Sequence, residues 1–213
     1  MKYKRITKKT DIAMQRLVSK IRELNAALKG FFEKTIELKG WKLVWFYFKT
    51  LGYHFLWLFI VGVALYLCGA RFSQHVAGSS EFRSSFLLLP MCALLEEMLF
   101  RWGPMVVFIG GLGYISRVIK IDEGLRSKIE NYGIAVIVLA SSIVFGLVHG
   151  NVFNIALQGV SGLVFFMFYL RRMYRDRVLR KEEILKKADK FQLRPLAAST
   201  IYHSLSNTIF VFL

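Results

Sequence analysis

Residues 51–70 read LGYHFLWLFIVGVALYLCGA, twenty positions without a charged side chain. A helix rises about 1.5 Å per residue, so this run is long enough to cross a hydrocarbon core of roughly 30 Å. Just before it stands Trp41-Lys42-Leu43-Val44-Trp45-Phe46-Tyr47-Phe48-Lys49, rings set between lysines, a composition that settles among lipid headgroups. The whole chain agrees: of 213 residues 55% are hydrophobic and 15% aromatic, and the mean hydropathy is +0.43, above that of a soluble domain of this size.

Outward from this first span, residues 71–83 form a polar loop, and 84–118 is again apolar apart from Glu96, Glu97, Arg101 and Arg117. The Gly103-Pro104 pair predicts a helix to about Trp102, a break, and a second helical piece opened by Pro104. Residues 116–131 are charged and of mixed sign, which predicts a loop. Tyr132–His149 and Val152–Leu170 then read as two spans joined by a tight turn at Gly150-Asn151, and Pro195 opens a last apolar helix to Leu213. The expected fold is all-α: a polytopic transmembrane bundle of about five spans, one of them broken.

Thirty Lys and Arg against fourteen Asp and Glu give a net charge of +16, which in a soluble protein raises the question of nucleic acid. The distribution excludes it. Thirteen cations precede position 50 and ten lie between Arg171 and Arg194, so the clusters flank spans and do not interleave with aromatics on a soluble face. With the N-terminus in the cytoplasm, the basic N-terminal segment, the 116–131 loop and the 171–194 stretch share one side, and the opposite loops keep only Arg71 and Arg83. An N-in orientation follows as the expectation.

Residues 1–49 form a basic N-terminal segment and 50–213 the membrane domain. Within the first, Leu17, Ile21, Leu24, Leu28 and Phe31 recur at spacings of four and three among lysines and arginines, the pattern of an amphipathic helix. A helix lying on an anionic membrane surface and a short coiled coil both fit it. No short apolar core follows the charged start MKYKRITKK, so no cleavable signal is expected. Cys68 and Cys92 both fall in apolar stretches and form neither a disulfide framework nor a paired metal motif.

An ionisable side chain inside a span costs at least a few kcal/mol, so an intramembrane Glu or His marks a functional site facing the bundle interior. Glu96 and Glu97 are neighbours and point about 100° apart on a helix, so they need separate explanations. Glu97 and Arg101 are four apart with the acid first, the geometry of a helical ion pair, which makes Glu97 the structural member. Glu96 lacks such a partner and is the candidate general base. Of the four histidines, His54 and His75 lie near span ends or in a loop, whereas His149 and His203 are embedded in apolar runs. His203 and Asn207 share a helix face, so a reacting carbonyl could meet an imidazole and an amide donor together. Phe145 shares a face with His149 and is placed to wall the pocket.

Written as patterns, these residues are EExxxR at Glu96-Glu97-Met98-Leu99-Phe100-Arg101, FxxxH at Phe145–His149 and HxxxN at His203–Asn207. The ordered trio resembles the CPBP family of intramembrane proteases, also called the CAAX protease and bacteriocin-processing or Abi family. The resemblance implies an α-helical membrane fold around a cavity open to lipid and water, and peptide-bond hydrolysis in a membrane-associated or lipid-modified protein or peptide. It implies that Glu96 and His149 activate a water, that His203 and Asn207 stabilise the oxyanion, and that Glu97 and Arg101 hold the helix. One departure is visible: Trp102 follows Arg101 where many relatives place Gly.

The preferred mechanism uses no cofactor, since Asn is a poor zinc ligand and a good oxyanion donor. A zinc ion held by Glu96, His149 and His203 is the alternative. The expected partners are the bilayer and a membrane protein or peptide substrate, in a bacterial plasma membrane. A non-proteolytic membrane regulator or bacteriocin-immunity protein stands as the second reading of the same motifs.

Overall fold

The computed structural model describes residues 34–69, 88–181 and 192–212, with scattered positions between 15 and 31. The chain divides into two compact units, residues 1–38 and 39–213. In the first, Phe31 is helical, whereas Leu17, Ile21, Leu24 and Leu28 of the amphipathic pattern lie outside the described residues. So do His75 and the loop expected over 71–83.

Among the described residues of the second unit every regular element is helical. Helix α1 is Gly40–Leu67; α2, Leu88–Glu97, continues through a π turn at Met98–Trp102 into α3, Gly103–Val118. Helix α4 is Glu123–Val148, a second π turn spans Ile155–Gly159, and α5 is Val160–Lys181 and α6 Leu193–Phe212. Among the described residues, three stretches are long and apolar enough to cross a membrane: Gly40–Leu67, Leu88–Val118 and Glu123–Val148. Phe59, Ile60, Val63 and Tyr66 of α1, like Val136 and Leu139 of α4, expose their side chains, a surface suited to lipid rather than water.

Three local expectations change. The aromatic cluster Trp41–Lys49 belongs to α1, because nothing in its propensities stops a helix that begins at Gly40. The helix does not break at Gly103-Pro104. Proline lacks an N–H and would press on the carbonyl four residues back; instead the Gly103 N–H reaches the Met98 carbonyl five residues back, and the widened turn carries the chain past Pro104. The 116–131 loop shrinks to a turn at 119–122, because the Asp122 side chain accepts a hydrogen bond from the Leu125 N–H at 3.1 Å and caps α4.

The helices run back and forth, with α6 packed between α2 and α5 and α4 against α3 and α5. The core they enclose is aromatic: Phe145 from α4, Phe165 and Phe168 from α5 and Tyr202 from α6, joined by Leu51 of α1. The Phe168 ring stacks on Tyr202 at 3.9 Å and on Tyr47 at 4.7 Å. The start of α1 lies beside Arg171, whose guanidinium sits over Phe46 and Tyr47, while Trp57 further along donates to the Ala156 carbonyl at 3.0 Å. The direction of α1 is thereby fixed relative to α5.

Helix α4 meets the second π turn at Gly146, where a Cβ would lie 2.6 Å from the Ile155 Cα. That neighbour is backbone and has little freedom to give. Gly146→Ala should therefore lower stability by about 1–3 kcal/mol, read as a fall in thermal unfolding midpoint in detergent. Gly110→Ala, with open space around it, should leave the midpoint unchanged or raise it; equal shifts in the two variants would contradict the close approach.

Candidate active site

The site forms where α2, the end of α4, the start of α5 and the middle of α6 converge. Glu97 is fully buried, and one of its oxygens, Oε1, takes two partners. Arg101 Nη1 lies 2.9 Å from it, the i,i+4 pair, and His203 Nδ1, 106 positions along the chain, lies at the same distance. Glu97 is therefore the link between α2 and α6 as well as a counter-ion for Arg101.

Arg101 is itself buried, and its guanidinium rests on rings: the carbon lies 4.3 Å from the Phe145 centroid and 5.4 Å from that of Phe165. None of its three nitrogens has a well-aligned hydrogen-bond partner among the described residues, so the ion pair with Glu97 and the aromatic faces supply the attraction. The rings come this close because position 162 is glycine: a Cβ there would stand 3.0 Å from both Arg101 Nη2 and the Phe145 ring. Phe165 in turn stacks flat on the His203 imidazole, at 4.1 Å and 23°. His203 is thus held through Nδ1 and across one face, which leaves Nε2 to act.

That Nε2 lies 3.4 Å from Glu96 Oε2. On the other side of Glu96, His149 Nε2 is 3.9 Å from Oε1. His149 Nδ1 is 2.6 Å from the Phe145 carbonyl. A carbonyl only accepts, so Nδ1 carries a proton, and Nε2 is the ring nitrogen turned toward Glu96. The Asn154 amide donates to the His149 carbonyl and steadies the turn that follows. Both histidines are tied at Nδ1 and present Nε2 to one carboxylate.

Burial divides the group. Glu97, Arg101 and His203 are sealed, whereas Glu96 and His149 keep about a third of their side-chain surface open, at 30% and 28%. A gap of 3.9 Å is too long for a direct hydrogen bond, and a water about 2.8 Å from each atom fits beside it. Asn207, one turn beyond His203, is half-buried and makes no hydrogen bond or ion pair among the described residues. Glu96, Glu97, Arg101, Phe145, His149 and His203 are gathered into one cluster; Asn207 stands at its edge.

As a metal donor set, the two Nε2 atoms and the Glu96 carboxylate have the right chemistry. Ligands on one tetrahedral zinc lie about 3.3–3.5 Å apart at bond lengths near 2.0–2.1 Å. The 3.4 Å separation fits that and the 3.9 Å separation does not. Among the described residues no group of three or more His, Cys, Asp or Glu is arranged to hold a metal ion.

Five contributors escaped the sequence reading. His54, set aside as a span-end residue, is buried in mid-helix because α1 begins at Gly40. Ser161 Oγ donates to the Leu157 carbonyl at 3.0 Å, so the His54 Nε2–H donates to Ser161 Oγ at 2.8 Å. With Trp57 on Ala156, this pins α1 to the second π turn. Phe165 and Asn154 complete the set. A histidine inside an apolar run was a signal for His54, since the same signal had marked His149; nothing in the sequence distinguishes Phe165 from its neighbours.

No family model, curated protein or solved structure matches this chain.

Removing the Glu97 charge should strand Arg101 in an apolar shell. Glu97→Gln is expected to cost about 3–5 kcal/mol and to reduce the yield of folded protein, whereas Glu96→Gln, at a half-open position, should cost under about 1 kcal/mol. Unfolding midpoints of the two variants in detergent check this; equal losses would place both carboxylates in the same structural role.

Proposed function

We propose that the chain is an intramembrane endopeptidase of the CPBP type, hydrolysing a peptide bond in a membrane-associated protein or peptide. The observation that carries this reading is the Glu96 carboxylate set between the Nε2 atoms of His149 and His203, each histidine tied at Nδ1. On this reading the protein crosses the membrane five times, with α5 and α6 as the fourth and fifth crossings, and its N-terminus lies in the cytoplasm.

In the reaction, a water beside Glu96 and His149 donates one proton to the Glu96 carboxylate as its oxygen attacks the peptide carbonyl carbon. His203, doubly protonated, donates from Nδ1 to Glu97 and offers Nε2–H to the oxyanion that forms, and the Asn207 amide one turn away is placed to donate as well. The carbon–nitrogen bond then breaks, the leaving amine takes the proton from Glu96, and both carboxylates return to their starting state. Two acids, one arginine and one imidazolium balance in charge, which suits a site removed from water.

Activity itself is the test. Glu96→Gln should abolish hydrolysis in a folded protein, so its membrane peptidome should contain a full-length substrate that the wild type cleaves. A chelator such as 1,10-phenanthroline should leave the wild-type rate unchanged. A variant peptidome identical to that of the wild type would sink the protease reading; loss of activity on chelation, restored by zinc, would replace the water-only mechanism with the metal one.

A further inference from the structure

Resting on that reading, we infer that the site opens on the membrane face opposite the basic loops, and that its substrate is a translocated polypeptide cut within the leaflet on that face. Three independent observations converge on this assignment.

The first is position along the helices. Glu96 is twenty-two residues from Val118, which at 1.5 Å per residue places it about 33 Å from the 119–122 end of the α2–α3 rod. His149 caps the far end of α4, which runs antiparallel to that rod after the 119–122 turn. The site therefore lies near the 149–154 turn and far from the 119–122 turn.

The second is the burial gradient. The two groups with open surface, Glu96 and His149, are those nearest the 149–154 turn, while Glu97, Arg101 and His203 close the floor together with Phe145 and Phe165. The open surface of the working pair thus lies at the end of α4 that the 149–154 turn closes.

The third is charge. The opposite end carries Arg117, Lys120, Arg126 and Lys128 around the 119–122 turn, and Arg171 and Arg172 begin the basic end of α5 beside the start of α1. By contrast, residues 50–70, 84–100, 129–170 and 195–213 contain no Lys or Arg, which leaves Arg71 and Arg83 as the only cations in the sequence joining α1 to α2. Cationic loops stay on the cytoplasmic side, so the opening faces away from the cytoplasm.

The substrate class follows from reach. A peptide anchored at the basic face would have to thread about 33 Å to Glu96, roughly ten residues of extended chain through the bundle. A polypeptide already exported, held by an apolar segment with its scissile bond just below the non-cytoplasmic surface, needs no such passage. A lipid-modified tail displayed at the cytoplasmic surface is excluded by the same distance.

The test has two arms. Val152→Cys on the 149–154 turn and Glu123→Cys beside the other turn, each in a Cys68→Ser, Cys92→Ser background, are labelled with a membrane-impermeant maleimide on intact bacterial cells. Val152→Cys should label at once and Glu123→Cys only after permeabilisation. Two single-span reporters carrying the same apolar juxtamembrane peptide and tag, one on each side of the membrane, are then co-expressed. Only the non-cytoplasmic tag should be released, and release should vanish in Glu96→Gln. Labelling with the reverse pattern, or release of the cytoplasmic tag, overturns the proposal. Release of neither tag, with Val152→Cys labelled from outside, sinks the hydrolase reading and the substrate assignment with it, while the side of the opening stands.

Discussion

One buried carboxylate oxygen, Glu97 Oε1, holds the arrangement together, because it answers both the Arg101 guanidinium and the His203 imidazole in surroundings that offer neither of them water. An arginine in an apolar interior is tolerated only when its charge is met and its flat faces are covered. Phe145 and Phe165 cover those faces, and Gly162 lets them approach. The same two rings then border the histidines, Phe145 against His149 at 4.3 Å and Phe165 against His203 at 4.1 Å. The groups that neutralise a buried charge and the groups that aim the two imidazoles are thus largely the same side chains.

Two π turns frame this cluster, Met98–Trp102 directly after the Glu96-Glu97 pair and Ile155–Gly159 directly after Asn154. A π turn inserts a residue into a helix and changes which carbonyls are taken up within it, which is why such turns gather at functional sites. The first keeps Arg101 within reach of Glu97 while carrying the chain past Pro104. The second turns its Ala156 carbonyl to Trp57 and its Leu157 carbonyl to Ser161, so that α1 grips the segment behind His149. Helix α1 contributes no group to the proposed chemistry, yet through His54 and Trp57 it bears on the segment that positions it.

The apolar runs made the long helices legible, and the cost of an ionisable group in lipid made Glu96, Glu97, Arg101, His149 and His203 stand out. The spacing of four announced the Glu97–Arg101 pair because that contact lies within one helix. The bond from Glu97 to His203 joins helices 106 positions apart, and no spacing rule reaches that far; Glu97 accordingly looked like a counter-ion alone. Pro104 looked like a break because proline rules describe an α ladder, not one that has already widened into a π turn. The start of α4 was readable in retrospect: Asp122 followed by Glu123 is an N-cap signal, outweighed by the mixed charges around it. Phe165 was not readable at all, being one of several aromatics in a uniformly apolar stretch.

The proposed reaction depends on a charge-balanced group in which Glu97 holds His203 by Nδ1 and both histidines turn Nε2 to Glu96. Solid-state ¹⁵N NMR of histidine-labelled protein in lipid, with assignment by His149→Gln and His203→Gln, reads the protonation of each ring nitrogen directly. The proposed reaction requires His203 protonated at both nitrogens and His149 protonated at Nδ1 alone. A neutral His203 with a bare Nδ1, or a His149 protonated only at Nε2, would contradict it.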